Sequence, residues 1–458
     1  MSRGRVARVP PGSKAPGLLN AVRFARDPVG FLEGQRRRYG NTFCLNFPSY
    51  GRLIYFVEPA LIKQIFAGDP EVFHAGEANG RALEPLLGRF SLLTLDEQDH
   101  MSQRKLLLPA FHGERVHRYG ELMAEIADAE VERWPLHEPF ALRPRMQAIT
   151  LEVILRAVFG VRGEERLQRF RTLLPQLGEG SGVVMWMPFL RRNLGPWSPW
   201  VRFQRMLSEV DALVYDEIRR RRAEPEAEER DDVLSMLLQA RHEDGSPMSD
   251  RELRDELITL LTAGHETSAT ALAWAFERLV RTPHALARLR AEIDDGGEEY
   301  QDAVVKETLR LRPVVIDVAR VVKRDVTVGD WEIAAGTVVV PAIALVQIRP
   351  DLFPDPHEFR PERFLADDGK PGDSAYSWIP FGGGVRRCLG AAFAHFEIKV
   401  VLRSVLRRAQ LRAADPAPEP QRTRHVTAVP ARDTLVIMEE RFSSALEHAP
   451  GGLLSTGA

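Results

Sequence analysis

Cysteine is nearly absent from this chain, with only Cys44 and Cys388 in 458 residues. Two cysteines cannot build a disulfide framework, and their scarcity fits a reducing compartment, the cytoplasm. Net charge is missing too. Lys and Arg number 62 against 64 Asp and Glu, so the basic excess expected of a nucleic-acid-binding chain is not there. No apolar run reaches the roughly 20 residues that a spanning helix needs. The longest, residues 337–348, is rich in Val and Ile, contains Pro341 and reads as strand. Residues 1–16 are basic and rich in Pro and Gly with no apolar stretch behind them, so neither a secretory signal nor a membrane anchor is expected. No repeat recurs at solenoid periods, and no Gly-rich dinucleotide fingerprint sits in a strand–turn–helix setting. Any redox chemistry would draw its electrons from another protein.

What is present is mostly helical patterning. Helices are expected over residues 28–39, 59–67, 100–111, 116–133, 143–159, 200–222, 249–281, 283–292, 300–310 and 389–408. Strand-like segments are fewer and clustered: an early hairpin over 41–46 and 51–57, a group over 318–328, 331–333 and 337–345, and a last strand over 434–439. The fold class is therefore mainly α with a smaller β-rich lobe. Residues 18–442 are expected to form a single domain, with flexible segments at 1–17 and 443–458.

The longest helix carries the first chemical hint. Ser249 and Glu252 form a capping box at its start, and Thr282-Pro283 stops it. The rod would be roughly 48 Å long. Its middle, residues 257–275, is apolar nearly all round, so it should run through the interior. Gly264 in that stretch costs about 1 kcal/mol against Ala. A glycine here implies close approach of another group or a local opening of the helix.

The cysteine loop is more specific. Three glycines, Gly382 to Gly384, precede Arg386, Arg387 and Cys388, and an amphipathic helix follows from Leu389. Glycines let the backbone turn tightly and approach a bulky planar ligand. A thiolate at a helix N-terminus is favoured by the helix dipole and free backbone donors. The arginines add positive potential. The stretch is suited to a sulfur anion.

Phe381, Gly384, Arg386, Cys388 and Gly390 fit F-x-x-G-x-R-x-C-x-G, five fixed positions in ten residues. This resembles the haem-binding loop of the cytochrome P450 family. Three further motifs are similar, in the family's order. Glu307 and Arg310 match E-x-x-R, and Arg363 of Pro361-Glu362-Arg363-Phe364 matches the arginine that joins that pair. Read alone, Glu307 and Arg310 would be an exposed ion pair worth a few tenths of a kcal/mol. The resemblance implies instead a buried structural triad, whose breakage typically costs about 3–5 kcal/mol. Ala263, Gly264, Glu266 and Thr267 match the oxygen-activation segment, and His100-x-x-x-Arg104 looks like the helix that holds the haem propionates. Many relatives carry Trp where His100 stands.

The resemblance covers roughly residues 18 to 440 and implies a haem-thiolate monooxygenase that binds haem b, with Cys388 on the iron and O2 as co-substrate. It implies that His100, Arg104, Arg320 and Arg386 neutralise the propionates, and that Phe381, Gly382 and Gly390 belong to the haem cradle. Thr267 and Glu266 would handle protons during oxygen activation. Without a functional role, Thr267 would simply bond back to a helix carbonyl. Val314, Val315, Ile316, Val318 and Ala428 would wall an apolar pocket for a lipophilic substrate such as a fatty acid, terpenoid or steroid. Residues 183–200, rich in Met and Trp, are either a packed loop or an adaptable lid.

Electrons would come from a ferredoxin or flavodoxin with its reductase, so NAD(P)H is used only indirectly. Arg387, Lys399, Arg403, Arg407, Arg408 and Lys105 are candidates for a basic docking patch, or form a solvated helix face. The protein is expected to be a monomer. Competing readings are a reductase-independent peroxygenase, isomerase or lyase, and a haem sensor without turnover.

Overall fold

A computed structural model describes residues 9–48, 50–111, 117–224, 230–365 and 375–443. Its axis is the central helix Asp250–Val280, about 46 Å long. The capping box is formed: Ser249 Oγ accepts from the Glu252 N–H at 3.2 Å, and Glu252 Oε2 accepts from the Ser249 N–H at 2.7 Å. Pro283 then opens the next helix, Pro283–Asp294, at the position where its missing N–H costs nothing. Helix Leu142–Val153, extended by the π-helical turn Ile154–Val158, packs along the central helix. This packing accounts for Gly264. A Cβ there would come within 2.9 Å of Ile154 Cδ1, so the glycine admits a neighbour's side chain. The helix runs through this point without opening.

Twelve strands among the described residues make the β-rich part: β1 Thr42–Phe47, β2 Gly51–Phe56, β3 Phe73–His74, β4 Pro139–Ala141, β5 Arg320–Val322, β6 Val326–Val328, β7 Trp331–Ile333, β8 Val338–Pro341, β9 Ala409–Ala413, β10 Gln421–Arg424, β11 Thr427–Pro430 and β12 Leu435–Arg441. The largest sheet has the order β1-β2-β8-β5-β3. β1 and β2 form the expected hairpin, with Cys44 opposite Ile54. β8 joins β2 in parallel, bringing residues from either side of the helical body together. Alternation divides the sheet's faces: Phe43, Leu45, Leu53 and Tyr55 join one core cluster, whereas Cys44, Ile54 and Phe56 join another. Cys44 is thus a buried core thiol.

The structure departs from the sequence pattern in several places. The strand expected over 337–345 ends at Pro341 and gives way to the short helix Ile343–Gln347, because proline has no N–H to continue a ladder. Helices Gly17–Arg26, Ala75–Leu87, Glu164–Trp186 and Val233–Gln239 have no clear signal in the sequence pattern. Pro85 and Pro175 lie inside two of them, and tertiary packing overrides those local breakers. The N-terminal segment expected to fray lies outside the described residues at 1–8. Beyond that, Cys44 N–H donates to Pro11 O at 2.8 Å and Ser13 N–H to Cys44 O at 3.0 Å. The tail from 444 also lies outside the described residues. Among the described residues, no helix is long and apolar enough to cross a membrane.

Candidate active site

The cysteine loop is shaped by its glycines. Gly382 and Gly384 are left-handed, with φ of 69° and 65°. Contrary to expectation, Gly383 and Gly384 make room for the protein rather than for a ligand. A Cβ on Gly384 would stand 1.8 Å from Phe66 O, at the end of helix Pro59–Phe66. At Gly382 and Gly390 a Cβ would meet no atom within 4 Å, and both line an internal cavity. The Cys388 N–H donates to Phe381 O at 2.9 Å, closing the loop. The following helix begins at Ala391, two residues later than expected, with Gly390 as its N-cap.

Cys388 exposes surface, yet burial pushes its thiol pKa up. The two agree because the surface it shows belongs to the cavity wall. The Gly390 N–H, and then Arg104 and Arg387, pull the thiol back down. That cavity, of about 1530 Å³, extends from the cysteine loop to the central helix. Residues 262–267 lie between buried Leu261 and buried Ser268, but are themselves exposed or half-buried, because they face it.

At the cavity's edge stand His100, Arg104, Arg320 and Arg386. Arg386 donates to Leu92 O at 3.2 Å and pairs with Asp96 at 2.5 Å. Arg320 donates to Ala319 O at 2.8 Å, its guanidinium 5.6 Å from the Phe66 ring centre. Burial lowers Arg320 and Arg386 to about 10. Burial, then Arg386, Arg104 and Arg320, hold His100 down at about 3, so its ring is neutral and donates one N–H. Of the three guanidiniums only Arg386 pairs with a carboxylate among the described residues, which leaves a surplus of positive charge beside a thiol. A planar ligand with two carboxylates and a metal for the sulfur, which is haem, fits this donor set.

Across the cavity, Thr267 Oγ1 donates to Ala263 O at 2.5 Å, the back-bond of an ordinary helical threonine. Glu266 meets Arg143 Nη1 at 3.0 Å and accepts from Gln147 Nε2 at 2.5 Å. Arg143, itself buried, also holds Asp433 at 2.5 Å. Arg143, Gln147 and Asp433 carry no motif, and sequence reasoning missed them. Asp433 lies in a left-handed turn with Thr434, φ 58° and 55°. His265 meets Thr150 Oγ1 through Nδ1 at 3.0 Å.

Glu307, Arg310 and Arg363 come together, all buried. Arg310 grips Glu307 through Nε at 2.6 Å and Nη2 at 2.8 Å, and Arg363 Nε reaches Glu307 Oε1 at 3.0 Å. Gln347, also missed, ties this group to the cysteine loop. It accepts from the Ile379 N–H at 2.9 Å and donates to Leu309 O and Arg310 O at 3.0 and 3.1 Å.

Val314, Val315, Ile316, Val318 and Ala428 all line the cavity, as does Asp317, which the apolar reading of that wall passed over. The 183–200 segment is divided. Met185 is buried against the cavity, whereas Phe189, Leu194 and Trp197 project outward at 65%, 73% and 89% exposure. The side chains of Val183 and Trp186 lie outside the described residues. The expected basic patch is largely paired: Lys399 and Arg403 share Glu298 at 2.6 and 2.8 Å, Arg408 meets Glu132, and Lys105 meets Glu243 at 2.9 Å. Arg387 stays exposed and also lines the cavity.

The sequence pattern described as Cytochrome P450 matches residues 9–437. The chain is 46% identical over 433 residues to a Mycobacterium tuberculosis protein provisionally named cytochrome P450 135B1, covering 93% of this chain and 90% of that one. It is 39% identical to the same organism's provisionally named cytochrome P450 138, over 95% and 97%. Among solved structures, the retinoic-acid-bound cyanobacterial CYP120A1 superposes with a TM-score of 0.83 at 25% identity, over 95% of this chain and all of that one. The haem domain of cytochrome P450DA gives 0.81 at 25% identity, over 96% and 99%. With a cavity lined by a thiol on one side and guanidiniums at its edge, and with these likenesses along nearly its whole length, the chain belongs to the cytochrome P450 family of haem-thiolate monooxygenases.

Proposed function

We propose that Cys388 would hold the iron of haem b through its thiolate, and that the protein inserts one oxygen atom from O2 into a lipophilic small molecule by hydroxylation or epoxidation. The observation that carries this reading is that Cys388, the guanidinium cluster and residues 263–267 all face one cavity. When bound, a thiolate-ligated haem supplies the electron push that favours O–O cleavage.

The chain's own groups do the rest. The Gly390 N–H, Arg104 and Arg387 favour the sulfur anion. Arg104, Arg320 and Arg386 hold the propionates, with His100 as a neutral donor. Thr267 commits its proton to Ala263 O and so offers its lone pairs to a water in the cavity. Glu266 brings protons inward, and Arg143 and Gln147 hold its carboxylate in place. Such relay catalysis is typically worth about 10²–10⁴-fold. Glu307, Arg310 and Arg363 brace the cysteine loop through Gln347. The valines at 314, 315 and 318, with Ile316 and Ala428, exclude water and receive the substrate, a fatty acid, terpenoid, steroid or similar molecule. The retinoic acid in the cyanobacterial structure is lipophilic in the same sense.

Electrons come from a ferredoxin or flavodoxin and its NAD(P)H-dependent reductase, docking over exposed Arg387. In this reading the enzyme works as a monomer in the cytoplasm. The test is Cys388→Ser. It is expected to abolish the red-shifted Soret band of the reduced carbonyl complex, and survival of that band would move the ligand elsewhere. Product formed with O2 and a ferredoxin system, but not with peroxide alone, separates a monooxygenase from a peroxygenase.

A further inference from the structure

The valine wall has one charged interruption. Asp317 stands among Val314, Val315, Ile316 and Val318 and lines the same cavity. It keeps part of its surface, yet lies deep enough for burial to push its carboxyl up to about 6. The surface it keeps is therefore cavity surface, as at Cys388, and at neutral pH most copies are ionised. Its neighbour is the hydroxyl of Tyr55, on β2, a buried ring stacked on Phe43 at 5.3 Å between centres.

The cavity's other carboxylates are accounted for. Glu266 and Asp433 share Arg143, Glu152 meets Arg156 and Arg171, and Glu130 meets Arg145. Glu164 pairs with Arg171, and Glu125 is exposed. Burial pushes Glu256 up to about 8, so it stays protonated. Among the described residues, no Lys, Arg or His forms an ion pair with Asp317. A carboxylate facing an apolar cavity without a counter-ion is unfavourable. A cationic ligand head would supply the missing charge, and the adjoining valines would cover its apolar body.

The geometry points to Asp317 as a specificity-determining carboxylate that selects lipophilic organic cations, holding the cationic head beside Tyr55 while the apolar body lies along the valine wall. This rests on the haem-thiolate reading and narrows its substrate class.

The test uses the haem-loaded enzyme and three probes of one chain length: dodecyltrimethylammonium, dodecanol and dodecanoate, each below its micelle concentration. A quaternary ammonium has no lone pair, so it cannot ligate iron, and binding is read from the spin-state shift of the Soret band. The cation is expected to bind at least ten-fold more tightly than the alcohol, with the carboxylate weakest. Asp317→Asn should abolish that preference and Asp317→Glu should retain it. Carboxylate binding as tight as the cation's in the unaltered enzyme overturns the inference, as does an undiminished cation preference in Asp317→Asn. The unaltered-enzyme comparison decides the matter even if the Asn variant fails to fold. Loss of the haem-thiolate carbonyl band in the unaltered protein would sink the parent reading instead, so the two failures are distinguishable.

Discussion

At Gly384 the backbone is left-handed, and a Cβ would stand 1.8 Å from Phe66 O. Both the dihedral and the contact exclude other residues, and a backbone carbonyl cannot move aside as a flexible side chain could. Gly384→Ala is expected to destabilise the protein by about 1–3 kcal/mol, the usual scale of overpacking, and to lower haem retention with it. Urea unfolding and haem content after gel filtration report the two effects. An unchanged urea midpoint would show that the loop is not held against helix Pro59–Phe66. The same scale explains why Thr267 and Glu266 differ in readiness. Glu266 is already clamped by Arg143 and Gln147, whereas the Thr267 hydroxyl is turned back on its own helix.

Between elements, a buried carboxyl joins the central helix to the segment before helix Glu97–Leu107. Glu256 accepts the Leu92 N–H at 2.8 Å and faces Gln103. Burial first, against the opposing pull of Gln103 and Leu92, raises it from 4.5 to about 8. Between those values the folded protein holds a proton that the unfolded chain has lost. Stability from this group is therefore fully present at low pH and declines as pH rises through that window. Glu256→Gln removes the titration. The fall in unfolding free energy between pH 5 and 8 should become shallower by on the order of a few kcal/mol. Parallel pH profiles for the two proteins would show that Glu256 is ionised in the fold.

Over the whole molecule, the near balance of 62 basic and 64 acidic residues makes local charge decisive for partner encounter. Glu298, Glu132 and Glu243 neutralise most of the cations expected near the cysteine loop, and leave Arg387 as the exposed one on the loop itself. Arg387→Glu should slow haem reduction by an acidic ferredoxin about ten-fold at low ionic strength. The difference should shrink as salt is added, since exposed charges are screened over about 8–10 Å. Stopped-flow reduction measures this, and equal rates at low salt would move the docking face elsewhere.

The sequence by itself determined what depends on local order. The F-x-x-G-x-R-x-C-x-G spacing marked the cysteine loop, the capping box and Pro283 marked the ends of the central helix, and two short strand-like runs marked the hairpin of β1 and β2. Each is written in neighbouring residues, because loops, caps and pleats are governed by backbone geometry over a few positions. Tertiary structure alone decided the partners. Arg143 and Gln147 reach Glu266 from another helix, Gln347 links Arg310 to the loop at Ile379, and Gly264 owes its place to Ile154. Pairing across 32 to 123 residues leaves no periodic trace, since any chain path that brings the two groups together serves equally. Asp317 shows this most plainly: in the sequence it is one polar residue among valines, and only the cavity it faces, with no ion pair to it among the described residues, gives that carboxylate a meaning.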